Sequence, residues 1–190
     1  MGGAQERPLR ADAARNRARL LDVATEVFTT SGVGVPTEQI ARAAGVGVGT
    51  LFRHFPTKEA LLEAVMVRRL ETMAERTAEL AAEAGPTEAF FACFRLVVEQ
   101  SAGKSEFTRA LSAAGVDAHA ALQAPTLEIQ ARLTELLARA QQAGAVRPEL
   151  GLPELFALLT GTGAAVEQLG ADPGARELIF KVVFDGLRPH

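Results

Sequence analysis

From Leu20 to Leu187 the apolar residues recur at steps of three and four, runs that alternate apolar with polar are essentially absent, and glycine or proline punctuates the segments. Alternation at steps of two is what a half-buried strand requires, so this chain has little with which to build a sheet. The expected class is all-α, with about nine helices. Leu20, Leu21, Ala24, Val27 and Phe28 mark one helical face that stops at Gly32. Pro36-Thr37 opens a short helix through Ala44, with the Thr37 hydroxyl placed to accept from an orphan amide, and Gly45 closes it. A second short helix, about Val48 to His54, follows at once. Pro56-Thr57 then starts a long helix from Lys58 to about Ala84. Further helices read at about 87–101, 105–114, 126–143, 153–169 and 174–187. Pro125, Pro153 and Pro173 fall at helix starts, where a missing N–H costs nothing.

Composition enters as exclusion. With 190 residues, 48% hydrophobic and 23% charged, the chain has ample material for a core. Its one cysteine, Cys93, forms no internal disulfide, which excludes a disulfide scaffold and points to a reducing cytoplasm. No apolar run approaches the ~18 residues of a membrane span, so no membrane partner is expected. The net charge of −3 hides an asymmetry. Residues 1–58 hold eight bases against five acids, a net of +3, and the remainder holds twelve bases against eighteen acids. A basic head on an acidic body suggests that the head meets a polyanion.

The head contains TEQIARAAGVGVGTLFRH, residues 37–54, which reads as a helix-turn-helix. Two helices of about two turns each must cross steeply with almost no linker. Gly45 permits the turn, Ala41 and Ala44 permit close approach, and Ile40, Val46, Leu51 and Phe55 supply a small core. The second helix is left with a free face, and a major groove ~12 Å wide admits it.

Three runs then resemble the TetR/AcrR family of transcription regulators: R-x-x-L-L-x-x-A-x-x-x-F-x-x-x-G (Arg17 to Gly32), T-x-x-I-A-x-x-A-G-V (Thr37 to Val46) and G-T-L-F-x-H-F-P-x-K-E-A-L-L (Gly49 to Leu62). The resemblance covers about residues 13–65 without insertion. It implies a flexible arm over 1–10, a DNA-binding domain over 11–57, and a ligand-binding and dimerisation domain over 58–190. It also implies that Thr37 and Lys58 meet phosphates, that Val48, Gly49 and Thr50 open the base-reading helix, and that Phe52 and His54 touch the DNA backbone. Phe52 departs from the family, which usually carries Tyr there, so a hydroxyl contact is lost or replaced by apolar packing against sugar or a thymine methyl. Phe52 read as core is the competing alternative. Arg17 and Arg53 complete the expected DNA-contacting set.

The body is read from its stripes. Phe90 and Phe94 lie on a helix too apolar for one buried face, and Met66, Leu70, Phe107, Leu111, Leu133 and Leu137 are expected to face it around a cavity for a small hydrophobic ligand. Ordinary core is an equally good reading of any one of these residues. The last two helices are apolar on nearly all sides, which a terminal pair satisfies most simply by packing on a second copy, the alternative being a hairpin packed wholly inside one monomer. Leu155, Leu159, Gly163 and Val166, with Ile179, Val183, Phe184 and Leu187, are the expected dimer contacts. The three histidines show no zinc spacing, and no cofactor or catalytic constellation is visible. The expectation is therefore a cytoplasmic homodimeric regulator, most simply a repressor. It would bind palindromic double-stranded operator DNA and be released by a small hydrophobic ligand. Two rival readings stand beside it: an enzyme that uses the apolar cavity, and a helical homodimer that binds a protein and has lost DNA binding.

Overall fold

The computed structural model describes residues 6–101, 104–170 and 172–189, of which 6–13 and 104–106 are described by their backbone alone. Among the described residues there are nine α-helices and no strand. They are α1 (Glu6–Ser31), α2 (Thr37–Ala43), α3 (Val48–His54), α4 (Lys58–Glu83), α5 (Pro86–Ser101), α6 (Lys104–Ala113), α7 (His119–Gln142), α8 (Leu152–Gln168) and α9 (Pro173–Leu187).

Most boundaries follow local chemistry. Gly32 and Gly45 take positive φ, 78° and 67°, as helix-terminating glycines do. The Thr57 hydroxyl accepts from the Ala60 amide at 3.1 Å and starts α4. Asp172 accepts from Gly174 and Ala175 and starts α9, with Pro173 at its first position.

Three expectations need correction. The arm expected over 1–10 is helical from Glu6; residues 1–5 lie outside the described residues. Pro8 falls in the first turn, where an amide would have no intrahelical acceptor, so it does not bar the helix. Pro125 does not open its helix but stands inside α7. The start lies earlier because Asp117 accepts from the His119 amide at 2.9 Å, and the intervening Ala120, Ala121 and Ala124 favour helix. Thr37 is not the cap of α2. Pro36 holds that position, and the largely buried Thr37 hydroxyl meets the Glu38 carboxylate at 3.5 Å instead of an amide.

The chain forms two compact units, divided otherwise than at residue 57. One comprises residues up to Arg69 together with Glu106–Ala121, and the other comprises Leu70–Ser105 with residues from Leu122 onward. In the first, Leu20, Ala24 and Phe28 of α1 join Ile40, Leu51, Phe55 and Leu61 in the core. Phe107 of α6 meets Phe28 edge-on at 5.9 Å, and the Arg69 guanidinium stacks over Phe107 at 5.3 Å. In the second, α5 supplies Phe90, Phe91, Cys93, Phe94 and Val98 to a core shared with α7, α8 and α9.

Candidate nucleic-acid interface

The turn between α2 and α3 is set by Gly45. Its amide donates to the Arg42 carbonyl and the Val46 amide donates to the Ala41 carbonyl, both at 3.0 Å, which returns two orphan carbonyls of α2 to hydrogen bonding. Gly47 is extended and caps α3, its carbonyl accepting from Thr50 and Leu51. Leu51 and Phe55 are then buried, which fixes which side of α3 faces out.

With ~100° of turn per residue, Gly49, Phe52 and Arg53 share the outward side, and all three are exposed. Phe52 is 38% exposed, so part of its side chain is open to solvent and it is not a core residue of the single chain. Val48, Thr50 and His54 are half-buried along the flanks. A Cβ added at Gly47 or Gly49 would meet nothing within 4 Å, so the surface beside Phe52 is open. Lys58 begins α4, adding its charge to the positive end of a long helix dipole. Arg17 makes a contact inside the chain. Its guanidinium stacks over the Phe55 ring at 4.9 Å, tying α1 to the residue that ends α3. Sequence spacing held no signal for this stack, because the two residues are 38 positions apart.

The expected ligand set is divided. Leu70, Phe90, Phe94, Leu133 and Leu137 are buried in the core of the second unit. Met66, Phe107 and Leu111 are buried in the first. The cause is that α4 passes from one unit to the other at Arg69–Leu70, while α6 packs with α1 through the Phe28–Phe107 contact.

The residues expected at a dimer contact divide by burial within the single chain. Leu155, Leu159, Gly163, Val166 and Leu187 are buried within their own chain, and Ile179, Val183 and Phe184 pack half-buried against the same core. Gly163 faces α5 inside the chain, where an added Cβ would make an ordinary contact 3.6 Å from Cβ of Ser101. Phe184 belongs to an aromatic cluster, with ring centroids 4.8 Å from Phe91 and 5.6 Å from Phe94. Arg95 closes it, stacking 4.1 Å over Phe180 while donating twice to Glu177 at 2.8 and 2.9 Å. The side that remains outward carries Leu158, Gly161, Ala164 and Leu169 of the α8 region and Leu178 and Val182 of α9.

The Cys93 thiol is buried and donates to the Thr77 carbonyl at 3.7 Å, and burial pushes its pKa up to about 11. Among the described residues, no group of three or more His, Cys, Asp or Glu could hold a metal, and no helix is long and apolar enough to cross a membrane.

Comparison with known proteins agrees with this arrangement. Residues 20–65 match the profile of bacterial regulatory proteins of the tetR family, and residues 85–189 match that of the transcriptional regulator SbtR-like C-terminal domain. The fold is similar to a TetR transcription regulatory protein from Mycobacterium vanbaalenii, with 42% identity, 96% of this chain and 100% of that one covered, and a TM-score of 0.76. It is also similar to a TetR transcriptional regulator from Streptomyces coelicolor, with 35% identity, 91% and 98% covered, and a TM-score of 0.73. A Staphylococcus aureus HTH-type transcriptional regulator is 40% identical over 65 residues, which is 34% of this chain and only 35% of that relative. The helix-turn-helix, the all-helical body and these matches over nearly the whole chain place the protein in the TetR family of DNA-binding transcriptional regulators, which are regulators and not enzymes.

Proposed function

We propose that the chain is a homodimeric repressor that binds a palindromic operator in the cytoplasm and releases it when a small, largely hydrophobic ligand binds. The observation that carries the DNA part is the outward side of α3, where exposed Phe52 and Arg53 flank Gly49 with open space beside them. Arg53 can donate two hydrogen bonds to a guanine edge or bind a phosphate, and Phe52 offers an apolar surface to a thymine methyl. Val48 and Thr50 flank this side as base-reading positions with Gly49; Thr37, His54 and Lys58 supply backbone contacts, and Arg17 steadies Phe55.

A second copy is favoured by the outward side of α8 and α9. Leu178 and Val182 are 60% and 62% exposed, next to small residues that permit close helix approach. Two copies related by a two-fold axis would set their recognition helices in successive major grooves, with half-sites ~34–36 Å apart. Ligand release then follows by population shift, in which the ligand favours a subunit arrangement whose recognition helices no longer match. Coupling of this kind is ~1–3 kcal/mol and reciprocal.

Selection from a random palindromic DNA library at low and high salt tests the reading. Enrichment of an inverted repeat that fades at high salt is expected. No enrichment at low salt would overturn it in favour of a protein-binding dimer, to which the exposed Phe52 is equally suited.

A further inference from the structure

Helix α9 has three sides. Phe180 and Leu187 enter the core, while Leu178, Val182 and Gly186 lie exposed on the outward side. Down the third side run Glu177, Lys181, Asp185 and Arg188, bordering an open groove of about 530 Å³. Their side chains are all about half exposed or more.

The signs in this row alternate: minus, plus, minus, plus. Read backwards the row is its own complement. A second α9 laid antiparallel therefore sets Glu177 beside Arg188 of the other copy and Lys181 beside Asp185 of the other copy. The register is consistent. The midpoint of each couple falls at Val182–Val183, and that of Leu178 with Gly186 falls at Val182, so all three agree to about one residue, ~1.5 Å along the helix. A Cβ at Gly186 would meet nothing within 4 Å, so Leu178 of the other copy has room to lie over it.

We propose that this row makes the homodimer self-selecting. It fixes α9 antiparallel against α9 of a second copy of this chain, and it repels related chains whose rows do not reverse into the complement. The inference rests on the homodimer reading above. Within one copy Lys181 pairs with Asp185 at 2.6 Å, Arg188 pairs with Asp185 at 2.7 Å, and Glu177 accepts twice from Arg95, so the central Lys181–Asp185 couples carry the selection and the outer Glu177–Arg188 couples add less. Solvated pairs of this kind exchange partners at little cost. Across a two-fold axis each new couple occurs twice, so a mismatch is also felt twice.

Exchanging two charges tests this. In the double variant Lys181→Asp, Asp185→Lys the row is still its own complement, but against the wild-type row it sets like charges together at both central couples. Wild type and double variant, carrying tags of different length, are co-expressed and weighed by native mass spectrometry. Each is expected to pair with itself, and the mixed dimer should fall from the one-half of random pairing to about one-tenth. Mixed dimer at one-half overturns the inference and leaves the homodimer reading intact, whereas a wild type that is monomeric at micromolar concentration overturns both. Should the double variant lose helicity by circular dichroism, the single variants carry the test. Lys181→Asp and Asp185→Lys should each self-associate about tenfold more weakly and pair readily with each other, and undiminished self-association overturns the inference.

Discussion

The two compact units solve the same packing problem with different means. The first sets two short helices, α2 and α3 of seven residues each, against α1, burying Ile40, Leu51 and Phe55 about a tight turn. The second uses long helices and a cluster of phenylalanines, in which Phe90, Phe91, Phe94, Phe180 and Phe184 contact one another with centroids 4.8–6.5 Å apart. A short-helix core admits few substitutions that preserve the crossing. A cluster of large interchangeable side chains admits many, because volume matters more there than identity. The DNA-reading unit is therefore written in a recognisable pattern, and the second unit is not.

Large truncations are the strongest way to break this contrast. Phe94→Ala removes a fully buried ring from the second unit and should cost about 3–5 kcal/mol. Phe28→Ala should cost a similar amount but melt the first unit, because Phe28 contacts Phe107 there. Denaturant titration followed by DNA binding separates the two outcomes, and identical unfolding profiles would mean that the units are not independently cooperative.

Charge substitutions at the DNA-facing side sharpen the contrast within the first unit. Arg53→Ala should relax sequence preference by about 1–3 kcal/mol at one base pair. Lys58→Ala should weaken all sequences alike and lower the salt slope by ~1. Binding measured to matched and mismatched duplexes over a salt series distinguishes a base-reading arginine from a phosphate-binding lysine.

The smallest expected effect belongs to the second unit. The hydrogen bonds from Arg95 hold the Glu177 carboxyl below its ordinary value of 4.5. The pair supports the fold at neutral pH, and its contribution is lost as acid protonates the carboxylate below that value. Glu177→Gln should therefore flatten the acid limb of a stability-against-pH curve slightly, and an unchanged limb would show that the pair contributes nothing.

What the sequence made legible followed from local chemistry. Gly32 and Gly45 as stops and Asp172-Pro173 as a start depend on backbone groups a few residues away, and all three are where spacing placed them. The failures share a cause as well. Pro125 has the usual form of a helix start, yet Asp117 had already provided one upstream, and nothing near Pro125 reveals that. In α8 and α9 the apolar residues go nearly all the way round, so periodicity identifies helices that are covered on many sides without telling which side faces α5. Leu155 and Leu159 turned inward, Leu158 and Leu178 outward, and only the packed aromatic cluster decides between them. The α3 side was easier. Gly49, Phe52 and Arg53 lie outward because Leu51 and Phe55 are buried, and both were visible as the small core of a helix-turn-helix.

The lone thiol gives the molecule a clock. Cys93 stays protonated and sealed beside Thr77, so an alkylating reagent finds no thiolate while the second unit is closed. Under reagent excess that outpaces reclosing, the rate at which a thiol dye enters this protein is the rate at which that unit opens, reported from a single atom with no engineered label.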